Sequence, residues 1–127
     1  MTLIHPDKLG PLWPWVRAGL DKVIERAGAD WTPGQVYTAL TSGTALLYIA
    51  GAEDGFMVVQ RQMDSRGPIL FVWALYGDCA DEQDAHFKFT DELARSIGAD
   101  RIRMESPRKG WARFGFKVKT MTYEREV

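Results

Sequence analysis

Apolar residues recur at helical spacing between Leu12 and Ala27. Leu12, Val16, Leu20, Val23, Ile24 and Ala27 make one stripe with polar positions between them, which predicts a first helix. Pro14 would fall in its first turn, where a missing backbone donor is tolerated, and Gly28 stands where a C-terminal cap belongs. A second helix starts at once. Thr32-Pro33-Gly34-Gln35 is a capping box, in which each of Thr32 and Gln35 accepts from the other's backbone N–H. Pro33 takes the first helical position, and Val36, Tyr37 and Leu40 carry the helix to Ser42-Gly43.

The pattern then turns from helical to extended. Thr44–Ala50, Phe56–Gln62 and Ile69–Tyr76 read as strands, separated by turn-like breaks at Gly51–Gly55 and Met63–Pro68. Ile69–Tyr76 is apolar on both faces, as an interior strand covered by helices on each side must be. A buried helix could show the same run, but Gly67-Pro68 and Gly77 on its flanks favour a strand. A long helix is predicted over Ala80–Ile97, with Phe89, Leu93 and Ile97 on one face, acids in its first turns and Gly98 as its stop. Arg101–Glu105 reads as a short strand, Ser106-Pro107 as the start of a brief helix, and Phe116–Glu124 as a closing strand. On that last strand Phe116, Val118, Thr120 and Thr122 face one way, and Lys117, Lys119, Met121 and Tyr123 the other. The order is ααβββαβαβ, one mixed α/β domain over residues 1–127.

Composition narrows the classes. At 127 residues, 46% hydrophobic and 26% charged, the chain can bury a core without disulfides or metals. A net charge of -1 supplies no global field to draw it to nucleic acid or membrane. The single cysteine, Cys79, excludes an internal disulfide and fits a reducing compartment. The first residues lack the basic and apolar regions of a signal peptide, and no apolar run approaches the ~20 residues of a membrane span. The expectation is a cytoplasmic protein with no membrane partner. His5 and His86 lack metal-ligand spacing with each other or with Cys79, so no metal is expected. Arg101, Arg103, Arg108, Lys109, Arg113, Lys117, Lys119 and Arg125 crowd the last quarter. They read as an anion or nucleic-acid patch, or as a solvated face neutralised by the acidic segment from Asp78 to Asp91; the second reading makes nucleic acid an unexpected partner.

The segment from Ala99 to Lys117 carries a resemblance. Its strand at Arg101–Glu105, its helix from Ser106-Pro107 and its Gly115-Phe116 pair are similar to the closing part of the GNAT family of acyl-CoA-dependent N-acyltransferases. The order of elements after Leu12 matches that family too, and Thr2–Ile4 could supply a stub of its first strand. The resemblance implies a mixed, mostly antiparallel sheet flanked by helices. With Ile97–Arg103 added, the chain is most similar to small phage-encoded or prophage members, which would place it in a host cytoplasm.

What the resemblance implies about function is an acyl transfer from acetyl-CoA or another acyl-CoA to a small-molecule or protein amine, by a chain that could pair as a homodimer. Glu105, at the end of its strand, would be the general base, and Tyr76 a polar helper at the end of the central strand. Tyr76, Gly77, Asp78, Cys79 and Ala80 would form the cofactor turn. Each has a plainer reading. Glu105 could pair with Arg101, Arg103 or Arg108, Tyr76 could be a packed aromatic, and acids around Cys79 oppose a reactive thiol. Tyr48 and Tyr123 are weaker candidates of the same kind as Tyr76.

Three departures stand out. The family's Gln/Arg-x-x-Gly-x-Gly/Ala turn, whose amides cradle the CoA pyrophosphate, is replaced by Tyr76-Gly-Asp-Cys-Ala-Asp-Glu-Gln-Asp84. Two unit charges ~5 Å apart repel by ~3 kcal/mol at an effective dielectric near 20, so several acids there outweigh a helix-dipole contribution of roughly 1 kcal/mol. Trp111 stands where many members carry an acidic Tyr, and an indole cannot act as an acid at neutral pH. The family's Asn after the preceding strand is replaced by Glu105 and Ser106. These departures favour a second reading, a non-catalytic GNAT-like binding or virion-associated module.

Overall fold

The structure, a computed structural model, describes residues 1–77, 83–106 and 111–127, and the side chains of all of these except 83–86. Five strands make one sheet in sequence order: β1 (Thr2–Ile4), β2 (Leu46–Ala50), β3 (Gly55–Asp64), β4 (Gly67–Gly77) and β5 (Ile102–Met104). The first three pairings are antiparallel and β4 with β5 is parallel. Parallel neighbours need a crossover, and α3 (Gln83–Ser96) supplies it. The expected fold class, a mostly antiparallel α/β sheet flanked by helices, is the one observed.

Alternation along β2 and β3 sorts the core into two layers. Leu47, Ile49, Phe56 and Val58 face α1 (Leu9–Ala27) and α2 (Pro33–Ser42), where they meet Val16, Leu20, Val36 and Leu40. Tyr48, Met57 and Val59 face the other way, toward Ala94, Phe89 and Leu93 of α3. Each fully buried side chain of this size contributes roughly 1.5–3 kcal/mol. β4 lies between β3 and β5 and feeds both layers, as its unbroken apolar run requires: Ala74 and Tyr76 go to the first, Leu70, Val72 and Leu75 to the second.

The helix boundaries follow local chemistry. The capping box at Thr32 and Gln35 is formed, with bonds of 3.2 and 2.8 Å. Gly28, Gly43 and Gly98 end their helices with φ of 60°, 81° and 77°, a conformation that costs glycine little. Helix α1 starts at Leu9 rather than Leu12. A 3-10 turn at Pro6–Lys8 runs into it, and burying Leu9 on the line of Val16 and Leu20 rewards the added turn. Pro14 consequently lies inside the helix rather than in its first turn. Strand β2 begins at Leu46 rather than Thr44, because the N–H groups of Thr44 and Ala45 both donate to the carbonyl of Ala39 at the end of α2.

The expected closing strand is not formed. Trp111–Phe114 is a short 3-10 turn, and residues 116–127 have no regular structure, with every side chain from Lys117 on exposed. The two faces of that segment differ little in polarity, so neither is driven onto the sheet. The helix expected to start at Ser106-Pro107 lies largely outside the described residues.

Gly19 sets how closely α1 approaches the sheet. A Cβ built there would lie 2.5 Å from Phe56 Cε2 and 2.8 Å from Tyr76 Cδ1. Gly19→Val should therefore displace both rings and lower stability by about 1–3 kcal/mol, measured by urea unfolding. Wild-type stability in that variant would show that the rings can move aside freely.

Candidate functional site

The site begins with an extra residue. Val58 pairs with Ala74 and Val59 with Val72, so Trp73 has no partner on β3 and forms a bulge in β4. Trp73 turns toward α1 and α2, where its ring meets Trp31 edge-on at 6.0 Å. Strand β5 pairs with β4 only over Leu70–Val72, opposite Ile102–Met104. From the bulge onward, β4 continues to Gly77 with no β5 partner among the described residues. Parallel strands end on the same side of a sheet, and the space beyond their carboxyl ends, where they diverge, is where α/β folds place ligands.

Tyr76 lies on the α1 side of that β4 end, half-buried. Its ring tilts against Phe56 at 5.3 Å, and the Lys22 ammonium sits 5.9 Å from its centroid. Gly77 has φ of 126°, and a Cβ there would come within 2.6 Å of Gly55 Cα, so only glycine fits beside the β2–β3 turn. Asp78, Cys79 and Ala80, expected in the cofactor turn, lie outside the described residues. Glu105 is exposed just past β5. No hydrogen bond joins it to Tyr76, although the parallel pairing carries both residues beyond the same end of the sheet.

Two of the arginines expected as partners of Glu105 are committed elsewhere, and the third, Arg108, lies outside the described residues. Arg101 grips the Asp64 carboxylate with two bonds of 2.6 and 2.7 Å, and Arg103 reaches the same group at 3.4 Å. Arg101, together with the backbone N–H of Arg66 and with Arg103, holds the Asp64 carboxyl well below the usual carboxylate range, and Asp64 raises Arg101 in turn. This contact ties β5 to the β3–β4 hairpin. Sequence reasoning missed it because 37 residues separate the partners; Asp64 in a turn is already explained by its local bond from the Arg66 N–H at 2.8 Å.

Trp111 is packed against α3. Its ring lies edge-on to Phe87 at 6.0 Å and near Phe114 and Phe116. Its indole N–H is buried and has no hydrogen-bond acceptor among the described residues. Tyr48 lies in the α3 layer, where burial raises its phenol above the ordinary value, and Tyr123 is exposed, so neither joins the β4 end. The His5 ring nitrogen accepts from the Asp7 N–H at 3.2 Å, and no group of His, Cys, Asp or Glu among the described residues could hold a metal. No helix among them is long and apolar enough to cross a membrane.

These elements define a mixed α/β domain with a GNAT-like fold. No protein-family model matches the chain, and no curated protein matches it. Solved structures do. A ribosomal-protein-alanine N-acetyltransferase from Brucella melitensis biovar Abortus 2308 superposes with a TM-score of 0.67 at 12% identity, over 99% of this chain and 98% of that one. A predicted acetyltransferase with acetyl-CoA from Clostridium acetobutylicum gives 0.67 at 10% identity, over 98% and 93%. An aminoglycoside acetyltransferase from an uncultured soil metagenomic sample, in complex with sisomicin, gives the same three figures, 0.67, 10% and 98% of this chain. At these identities the likeness is one of fold.

The Asp64 clasp generates a pH dependence. Its folded-state carboxyl is depressed, so its contribution is fully present above the unfolded value near pH 4 and drains away as pH falls through the folded value. Asp64→Asn should lower the melting temperature at pH 7, and the gap to wild type should narrow as pH is taken from about 4 toward 2. A gap that stays constant over that range would assign the loss to something other than this charge.

Proposed function

We propose that the chain is an N-acyltransferase that moves an acyl group from acetyl-CoA or another acyl-CoA to an amine on a small molecule or a protein. The divergence of β4 and β5 after Val72 and Met104 carries the reading. Among the described residues it leaves the main-chain groups of residues 73–77 without a ladder on the β5 side, an edge to which the amide-bearing arm of CoA could add as a strand would. The orphaned indole N–H of Trp111 also fits an acceptor that no described residue supplies. Acyl-CoA brings the activated thioester; the chain has to hold and orient it and to handle one proton. Backbone N–H groups at the open β4 edge would polarise the thioester carbonyl, and positioning an amine against it would supply much of the rate. Glu105 would take the amine proton, its exposure allowing it to pass that proton to water. Tyr76 and Gly77 would shape the turn that leads toward Asp78, Cys79 and Ala80. Trp111 could donate a hydrogen bond to the departing sulfur but no proton, so the thiolate would leave unprotonated or take its proton from water.

A second reading follows from Trp111 and from the acids between Asp78 and Asp84: a non-catalytic, phage-encoded module with this fold, acting in a host cytoplasm. Calorimetry and melting with acetyl-CoA separate the two. At about a hundredfold excess over its dissociation constant, a bound cofactor should add ~2.7 kcal/mol of stability. No heat and no shift at millimolar acetyl-CoA would remove the enzyme reading. Where binding is seen, Glu105→Gln should slow acyl transfer roughly a hundredfold with an unchanged melting temperature; undiminished turnover would take Glu105 out of the mechanism.

A further inference from the structure

Helix α1 uses its two flanks differently. Gly19 and Lys22 meet Tyr76 at the open end of β4. At about 3.6 residues per turn, Gly10, Trp13 and Arg17 fall on the opposite flank, beside α2. There, with Gly34 and Tyr37 of α2, they line a groove of about 350 Å³, a size that suits a small ligand.

Trp13 and Tyr37 meet edge-on in this groove, with ring centroids 4.9 Å apart. Trp13 packs onto the core, whereas Tyr37 is 41% exposed. Arg17 is the charged residue of the lining. It makes no ion pair among the described residues, not even with Asp21 one turn further on. Helix α2 brings no carboxylate to it, because residues 31–52 contain no charged side chain. Each helix also contributes a glycine. Neither Gly10 nor Gly34 has a positive φ. A Cβ would meet nothing within 4 Å at Gly10, and at Gly34 only Thr32 Oγ1 at 3.8 Å. Alanine would fit at both places and would favour the helix. Packing therefore does not require these glycines. Their effect is to leave the backbone bare beside Arg17 and the two rings.

We propose that this groove binds a small aromatic carboxylate, with its ring against Tyr37 and Trp13 and its carboxylate on the Arg17 guanidinium. A planar guanidinium meets a carboxylate with two parallel hydrogen bonds. One unpaired cation balances one negative charge, so a monoanion suits the groove better than a phosphate dianion. The exposed part of Tyr37 supplies a surface for the ligand's ring, and glycine at both positions admits a flat body. The site lies across α1 from Tyr76, and the inference stands independently of the acyl-transfer reading.

Titration with phenylacetate, followed by calorimetry and by the amide NMR signals of Gly10 and Gly34, tests it. Phenylacetate should bind with a Kd of about 1 mM or below and shift both glycine signals. Phenylacetamide keeps the ring and loses the charge, and cyclohexylacetate keeps the charge and loses the flat ring; each should bind about tenfold more weakly or worse. Arg17→Gln should weaken phenylacetate binding by about tenfold or more. Gly34→Leu should abolish it and leave the melting temperature at or above that of the wild type, since the new side chain enters open space on a helix. No binding at about 10 mM phenylacetate would overturn the proposal. So would binding that leaves the Gly10 and Gly34 signals unmoved, or that is as tight in Arg17→Gln and Gly34→Leu as in the wild type, because either would place the anion elsewhere on the surface. Equal affinity for phenylacetamide would also overturn it, by taking the charge out of the recognition.

Discussion

Strand β4 has to serve two hydrophobic layers at once, and the rest of the molecule depends on how it does so. Its neighbours β2 and β3 alternate regularly between the α1–α2 side and the α3 side. A strictly regular β4 would send Trp73 toward the same layer as Leu75. The bulge at Trp73 breaks that phase, so that Trp73, Ala74 and Tyr76 all join the α1–α2 layer while Leu70, Val72 and Leu75 remain with α3. The same irregularity coincides with the end of the β5 ladder. The place where Trp73 joins the α1–α2 layer is thus also the place where the described β5 ladder stops.

The aromatic residues then fix how the layers approach. Gly19 lets α1 settle onto Phe56 and Tyr76, Trp15 meets Phe56 at 5.5 Å, and Tyr48 meets Phe89 at 5.1 Å on the opposite side. Edge-on contacts of this kind add to simple burial. Tyr76 serves this packing directly, which satisfies the plain reading of that residue and still leaves it beside the end of β4. On the far side of the sheet's open end, Asp64 anchors β5 through Arg101 and Arg103. Three residues of parallel ladder would be a weak attachment, and the clasp compensates at the strand's beginning.

Most of the fold could be read before any coordinates. The helix of the capping box, the glycine stops, the turn at Gly51–Gly55 and the covered central strand each rest on interactions within a few residues, and each was found where expected. The exceptions also have local causes that propensity does not weigh, such as the Ala39 carbonyl holding Thr44 and Ala45 back from β2. The candidate site was less legible. Glu105 and Tyr76 stand at the ends of adjacent parallel strands, as their positions implied, but Arg101 and Arg103, two of the three partners weighed for Glu105, belong to Asp64. The indole N–H of Trp111, buried without an acceptor among the described residues, had no signature in the pattern of residues.

What the sequence determined by itself was the order of elements and the double burial of β4, because periodicity and capping are properties of neighbouring residues. Only the tertiary structure decided the Trp73 bulge, the Asp64–Arg101 clasp and the short parallel pairing of β5 with β4. Each depends on which residues distant in the chain meet across the sheet, and a segment with two similar faces, such as residues 116–124, carries no local instruction about where it should pair.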